Sequence, residues 1–226
     1  MKSDLELALD YQPYIMFDEN EPFEVTGIGY TVFRESKQSV SFPKRQVIVE
    51  KEKVDFIIEY AIWYDYDIEH LYELEHLWMY IDYDGNVVDA EGSFHGKYLK
   101  MVSPVTGEVV VEDKNHLIVY AQPGKHAFLP EGNLVRLVPN WYEACNKTAG
   151  SAGVLVQDMF ADQIVTTPLL QQRVEQYIKD KFSFEPTLSF QKKVYDQSIF
   201  MTYEELCVSI PKRVNAELEK IKKYFD

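Results

Sequence analysis

The sequence predicts a mainly β protein, an antiparallel β-sandwich with additional α-helices in the C-terminal third, so that the whole chain is α+β. Between about residues 23 and 121, short runs rich in β-branched and aromatic residues alternate with turn signals, which is typical of a sandwich. After residue 133 the pattern becomes irregular and then helical. The 16 tyrosines and 13 phenylalanines also favour strands, because aromatic side chains fit a pleated, half-buried surface.

The strand-like runs follow one another at close spacing. The first three are GIGYTVFRES, RQVIVEKEK and VDFIIEYAIWYDY. Asp84-Gly85 lies between two apolar runs and predicts a hairpin, since Asp-Gly favours the tight turn that joins paired strands. A second hairpin is predicted around Pro104–Gly107, and NHLIVYAQ follows it as a further strand. We expect residues 11–132 to form the sandwich core.

Residues 133–226 are predicted to form an irregular and helical extension packed on this core, within one domain of 226 residues. NKTAGSAG (146–153) has the composition of an exposed loop. A helix is predicted over 167–182, because apolar residues recur there at helical spacing after Pro168. YEEL and residues 211–225 predict one or two more helices.

The composition indicates which partners are excluded and in which compartment the protein lies. A net charge of −14, from 37 acidic and 23 basic residues, would repel nucleic acid, so no nucleic-acid partner is expected. Two cysteines in a chain of this size fit a reducing compartment. No apolar run approaches the ~18 residues of a membrane span, and the first residues lack the apolar region of a signal peptide, although a trimmed leader would leave the same pattern. These observations predict a cytoplasmic protein of undetermined oligomeric state.

The stretch HLYELEH (70–76) places two histidines and two glutamates among apolar and aromatic residues. If it forms a strand, Glu73 and Glu75 point to one face and His76 to the other. His70 would precede the strand, in a turn from which it can bend back toward the two glutamates. Two carboxylates and an imidazole can form a mixed oxygen and nitrogen cation site. Such a site suits Mg²⁺, Ca²⁺ or Mn²⁺ if carboxylates dominate, and Zn²⁺ or Fe²⁺ if further histidines join.

Two other interpretations of this stretch remain open. On a helix, Glu73 and His76 would have the Glu-x-x-His spacing of di-iron bundles, but the sequence lacks the second motif that such a site needs, and its flanks are β-rich. Alternatively, Glu73 and Glu75 face water on an edge strand and His70 lies exposed in a loop. Residue types alone do not decide between this solvated face and a metal site.

Several motifs share their order with a known family. IWYDYD precedes HLYELEH and HLWMYID follows it, then come GSFHGKY (92–98) and IVYAQPGKHAFLPEG (118–132), and the chain opens with YQPYIMFDENEPF. The series resembles the necrosis-inducing (cytolysin-like) proteins and the related vacuolar-protein-sorting family. Their motifs are His-x-x-Asp-Trp-Glu, a Ser-x-His-Gly-type strand, and Val-Tyr-x-x-x-Gly-Ser-His-Ala running to Pro-Gly. The resemblance covers roughly residues 11–132.

The resemblance implies a β-sandwich with one divalent cation at one end of the sheets. Carboxylates favour Ca²⁺ or Mg²⁺, with Zn²⁺ or Mn²⁺ as alternatives. The implied metal ligands are Asp67, His70, Glu73 and Glu75, with Asp65 as the alternative upstream acid. The residues expected to line the ligand cleft are His76, His95, His126 and Tyr98.

The sequence also departs from the family. Glu73 stands where the motif has Asp, which could shift the cation, and Leu74 replaces the motif's Trp. The secreted toxins are exported and disulfide-bonded, and because this chain resembles neither feature, membrane damage is not carried over as its activity.

Three functional hypotheses follow, and the sequence leaves open whether the protein is an enzyme. In the first, the cation organises a cleft for a glycan or an anionic lipid headgroup. The second is a metal-dependent hydrolase, with His95 or His126 as the acid or base. The third is a structural or interaction protein without metal, in which changing Glu73 or His70 to alanine alters stability and not metal content.

Overall fold

In the computed structural model of the chain, residues 2–42, 44–156 and 160–226 are described. Two β-sheets pack face to face, and a layer of helices covers part of the outer face of the larger sheet. The predicted fold class, mainly β with helices near the C-terminus, is confirmed. Two of the predicted strands, GIGYTVFRES and VDFIIEYAIWYDY, correspond to long strands of the larger sheet.

The strands, in chain order, are β1 (Tyr14–Asp18), β2 (Val25–Phe33), β3 (Lys37–Gln38), β4 (Gln46–Val47), β5 (Phe56–Tyr66), β6 (His70–Ile81), β7 (Val87–Phe94), β8 (Lys97–Lys100), β9 (Val111–Glu112), β10 (His116–Ala121), β11 (Phe128–Leu129), β12 (Gly153–Val154), β13 (Phe190–Lys193) and β14 (Phe200–Thr202). The helices are α1 (Asp4–Asp10), α2 (Trp141–Ala144), α3 (Pro168–Phe182) and α4 (Tyr203–Phe225), and short 3-10 turns span Gly132–Leu137 and Gln197–Ile199.

The larger sheet has the order β14-β2-β5-β6-β7-β8, and β12 lies beside the start of β6. β6 and β7 form the predicted hairpin, where Gly85 has φ +81°, a conformation that glycine adopts without a steric penalty. The smaller sheet has the order β11-β10-β1-β13, with β9 paired to β10. The pairs β1–β10, β6–β12 and β2–β14 are parallel, so both sheets are mixed rather than purely antiparallel.

The two sheets enclose an apolar core. The smaller sheet and the larger sheet both contribute fully buried aliphatic side chains to it, among them Ile15, Val119, Ile58, Ile62 and Met79. In β5 the even-numbered residues from Phe56 to Tyr64 face this core. The odd-numbered residues face the opposite side of the larger sheet, so β5 is buried on both faces and its apolar run is continuous.

The C-terminal part contributes to every layer. Helix α3 begins after the Thr167 cap, as the spacing predicts, and the last helical segments form the single helix α4 with Pro211 inside it. Both helices pack on the outer face of β5 and β6, around Trp63 and Leu71. Because β12, β13 and β14 also complete the two sheets, residues 133–226 are part of the sandwich as well as packed on it.

A third cluster lies on another part of that outer face. The segment between β2 and β5 lays Val47, Val49 and Val54 against Ile57 and Trp78. RQVIVEKEK is therefore a strand only at β4, because its valines are used for packing on the sheet rather than for further pairing. Within the described part of the chain, no helix has the length and apolar character that crossing a membrane requires.

Candidate metal centre

The β5–β6 ladder sets the direction of the two glutamates of HLYELEH. Glu73 lies opposite Tyr64, and Glu75 lies opposite Ile62. Residues directly opposite each other in an antiparallel pair point to the same face, and both partners belong to the core between the sheets. The prediction that this stretch is a strand with both glutamates on one face is confirmed.

A left-handed residue brings His70 to the same side. Tyr72 has φ +58°, which is uncommon for a bulky residue within a strand. On the N-terminal side of Tyr72, the side chains point to the faces opposite to those expected from the rest of the strand. Leu71 and its partner Tyr66 both face the helices there. His70 therefore turns toward Glu73, and its Nε2 atom lies 3.5 Å from Glu73 Oε2. In a regular strand, residues three apart would point to opposite faces.

Asp67 completes the group from the turn that joins β5 to β6. Its backbone N–H donates to the His70 carbonyl over 2.9 Å, which closes the turn. Asp67 is fully buried, and its Oδ1 atom accepts from the Glu69 amide at 2.7 Å and from Lys125 Nζ at 2.9 Å. Oδ2 is buried and has no hydrogen-bond partner among the described residues. His70 Nε2 lies 3.7 Å from Oδ1.

Asp67, His70 and Glu73 form a buried group that could hold a metal ion. Each offers one ligand atom, and these atoms lie within 4.8 Å of one another. A central ion with ligand bonds of about 2.0–2.6 Å spans such separations. His70 Nδ1 lies 2.8 Å from the Tyr72 carbonyl oxygen, which can only accept, so Nδ1 is the donor. In the neutral ring this leaves a lone pair on Nε2, which is the usual arrangement of a metal-binding histidine.

The electrostatics of the group favour a cation. Burial raises the pKa of Glu73, and the charge of Asp67 raises it further. Burial and the charge of Glu73 raise the pKa of Glu75 well above 4.5. Burial would also raise the pKa of Asp67, but the charges of His70 and Lys125 outweigh it and lower this pKa. The glutamates are thus short of positive charge, which a divalent ion would supply.

Two loops close around the Asp67 turn. Ile68 donates its N–H to the Gly124 carbonyl at 2.8 Å, and Gly150 donates to the Ile68 carbonyl at the same distance. Gly124 has φ +70°, and a Cβ atom there would lie 2.8 Å from Ile68 Cβ, so only glycine allows this approach. Ala149 and Gly150 are buried. The prediction that 146–153 is an exposed loop is wrong at these residues, because hydrogen bonds dock them on the turn.

The two remaining predicted acids lie outside the three-residue group. Glu75 is next to it on the same face and accepts a hydrogen bond from Ser93. Asp65 accepts from Trp63 Nε1 at 2.8 Å and from Arg213 at 3.3 Å. Of the two candidate upstream acids, Asp67 lies in the group, whereas Asp65 is held by Trp63 and by Arg213 of helix α4.

Two predicted histidines lie in or beside the loop that carries Lys125. His126 is fully buried, stacks on Tyr64 with ring centroids 3.9 Å apart, and places Nε2 3.4 Å from Glu21 Oε1. His95 is exposed, and its Nε2 atom lies 2.8 Å from Gln122 Oε1. His126 is close enough to contribute to the lowered pKa of Asp67.

His76 and Tyr98, predicted to line the same cleft, lie on the opposite face of the larger sheet. His76 is buried against Phe42 and Trp78, and Tyr98 stacks on the guanidinium of Arg45. The physical reason is the period of two along β6, which separates His76 from the neighbouring Glu75. Sequence reasoning missed Lys125, although it lies in the quoted segment IVYAQPGKHAFLPEG between a glycine and a histidine.

Comparisons of the chain with protein-family models, with curated proteins and with solved structures found no match. We therefore infer function from the geometry and chemistry of the Asp67, His70 and Glu73 group.

Proposed function

We propose that this protein binds one divalent metal ion through Asp67, His70 and Glu73, and that the ion organises a cleft for a glycan or an anionic headgroup. The observation that carries the proposal is the convergence of two buried ligand side chains, Asp67 and His70, and the half-buried Glu73, with ligand atoms within 4.8 Å of one another. Within this group, Nε2 of neutral His70 keeps a lone pair, and Oδ2 of Asp67 has no hydrogen-bond partner among the described residues.

Hydrogen bonds within the protein do not provide a partner for every polar atom of this group. His70 Nε2 lies 3.5 Å from the Glu73 carboxylate and 3.7 Å from that of Asp67, which is longer than a normal hydrogen bond. Lys125 is bound to Asp67 and Glu69 rather than to Glu73. A buried polar atom without a partner costs free energy, and a metal ion would remove that cost.

The proposed class of ligand follows from the net charge of the chain and from the solvent exposure of the metal-binding group. The side chain of Glu73 is 23 % exposed whereas Asp67 is fully buried, so the group opens toward solvent on the Glu73 side. Three protein ligands leave coordination positions on a divalent ion for oxygen atoms of another molecule. Because the chain carries a net charge of −14, an anionic ligand needs such a cation as a bridge. The resemblance to the necrosis-inducing proteins supports the same assignment.

The first experiment measures metal content by inductively coupled plasma mass spectrometry, on protein purified without chelator or a nickel column. We expect about one equivalent of a divalent metal in the wild type and its loss in Asp67→Asn. Asp65→Asn is the matched control, since Asp65 is two residues away and bound to Arg213 instead. Absence of metal from the wild type, even after soaking with Ca²⁺, Mg²⁺, Mn²⁺ and Zn²⁺, would contradict the proposal and favour the structural hypothesis.

A second experiment addresses the ligand. Wild type and Asp67→Asn are applied to neutral oligosaccharides, uronic-acid oligosaccharides and phosphatidylserine vesicles, each with the metal and with a chelator. Retention that requires both the metal and Asp67 supports the bridging role. Retention that a chelator leaves unchanged contradicts it.

Hydrolysis and a cytoplasmic location remain predictions. The proposed acid or base would be His95 or His126, but His95 is bound to Gln122, and His126 is fully buried beside Glu21. No described contact directs either ring at the three ligand side chains, so the binding role is preferred over catalysis.

A further inference from the structure

The donors around the two carboxylates restrict how they can bind a metal. Asp67 Oδ1 already accepts from Lys125 Nζ at 2.9 Å and from the Glu69 amide at 2.7 Å. An oxygen with two donors, one of them an ammonium, is a poor metal ligand, because the metal would approach a like charge. Only Oδ2, which is buried and unpartnered, keeps its lone pairs free.

Glu73 is restricted in a similar way. Its Oε1 atom accepts the N–H of Leu74 at 2.8 Å, which leaves Oε2 facing His70 Nε2. Each carboxylate thus offers the metal one oxygen, and His70 offers one nitrogen. Ca²⁺ takes six to eight oxygen ligands and commonly uses both oxygens of a carboxylate, whereas Mg²⁺ and Mn²⁺ accept single carboxylate oxygens together with water. An imidazole nitrogen further favours Zn²⁺ over Ca²⁺, which prefers oxygen ligands.

We propose that Lys125 determines the metal specificity of this site, holding Asp67 as a one-oxygen ligand so that small ions such as Mn²⁺ bind in preference to Ca²⁺. This inference rests on the proposed metal-binding function, and it narrows the expectation of Ca²⁺ or Mg²⁺ drawn from the sequence. Lys125 is a positioning residue, since it acts through Asp67.

Lys125 is held firmly enough for this role. Its side chain is only 11 % exposed, and Nζ also donates to Glu69 Oε2 at 3.1 Å. Its neighbour Gly124 is fixed on both sides, because its carbonyl accepts from Ile68 and its N–H donates to Glu21 Oε2, each at 2.8 Å. The ammonium group therefore stays beside Asp67 when a metal enters.

The test compares the dissociation constants for Mn²⁺ and Ca²⁺ by isothermal titration calorimetry in wild type and Lys125→Met. Methionine keeps an unbranched side chain that is one atom shorter, and it removes the charge and the donors. We expect the wild type to bind Mn²⁺ at least about tenfold more tightly than Ca²⁺, and the variant to reduce this ratio about tenfold, mainly by binding Ca²⁺ better. Lys125→Ala is a second variant with the same expectation, in case methionine does not fold.

Glu69→Gln is the matched control, since it removes the charge of the other partner of Lys125 and leaves the Asp67 contact in place. Its Mn²⁺ to Ca²⁺ ratio should equal that of the wild type. An unchanged ratio in both Lys125 variants, with metal still bound, would overturn the role of Lys125 and leave the proposed function standing. A wild type that binds neither ion nor Zn²⁺ nor Mg²⁺ would overturn both.

Discussion

Both faces of the β5–β6 ladder bury carboxylates, but the carboxylates of the two faces differ in how many hydrogen bonds they accept. On the outer face, Glu59 is 1 % exposed and accepts three hydrogen bonds of 2.6 Å, from Ser39, Ser41 and Trp78 Nε1. On the inner face, Asp67 keeps one oxygen without a partner, and Glu73 accepts one backbone hydrogen bond. A buried charge needs partners. The saturated carboxylate on the outer face therefore has a structural role, and the unsaturated pair on the inner face is the candidate site.

Replacing Glu59 should have the largest effect on stability, and it tests the contrast between the two faces. Glu59→Ala removes an acceptor from three buried donors, so we expect the free energy of unfolding to fall by about 3–5 kcal/mol. Urea unfolding checks this, with metal content measured on the same samples. The contrast predicts no change in metal content, and a loss of metal equal to that of Asp67→Asn would remove the distinction between the two faces.

Metal binding should produce the next largest effect. A ligand that binds only the folded state stabilises it by about 2.7 kcal/mol at one hundred times its dissociation constant. We expect Mn²⁺ to stabilise the wild type and Asp65→Asn by such an amount in urea unfolding. Asp67→Asn should gain nothing, and an equal gain in that variant would mean that the ion binds elsewhere.

The free energy of unfolding of the metal-free protein should depend on pH, because Glu75 is buried on the inner face beside other carboxylates. Because burial raises the pKa of Glu75 well above its ordinary 4.5, the folded state retains a proton that the unfolded state releases. Stability should therefore fall as the pH rises above 4.5. Glu75→Gln should flatten this fall, which urea unfolding between pH 4.5 and 8 measures in the presence of chelator. A variant with the slope of the wild type would contradict the assignment.

His76 should give the smallest effect at neutral pH. Burial lowers its pKa to about 3, so below pH 6.5 the unfolded state binds a proton that the folded state does not, and stability is lost as the pH falls. His76→Phe should change stability at pH 7 by less than about 1.5 kcal/mol and reduce this acid sensitivity. Its metal content should match the wild type, because His76 faces Phe42 and Trp78. Lost metal would place it in the site after all.

Local patterns predicted the parts of the fold and site that depend on local physics. The period of two along HLYELEH predicted that Glu73 and Glu75 share one face of the sheet and that His76 lies on the other face, and the structure has this arrangement. The resemblance, in contrast, had implied that His76 lines the cleft. Asp84-Gly85 gave the hairpin, and helical spacing gave α3. Helix α1 was missed, although its Ser3-x-x-Glu6 capping box is a recognisable start signal.

The rest depends on tertiary structure. The left-handed conformation of Tyr72, which turns His70 toward Glu73, is rare for its residue type and has no sequence signal. Lys125 reaches Asp67 from a distant loop because Gly124 docks on Ile68, a contact that no local pattern reveals. The donors that saturate Glu59 likewise come from a separate segment, at Ser39 and Ser41.

Anomalous diffraction from a crystal soaked in Mn²⁺ without chelator tests directly whether the group binds a metal. We expect an anomalous peak among His70 Nε2, Glu73 Oε2 and Asp67, at bonding distance from one oxygen of each carboxylate. No peak there, or a peak beside Glu59 on the outer face, would contradict metal binding by this group.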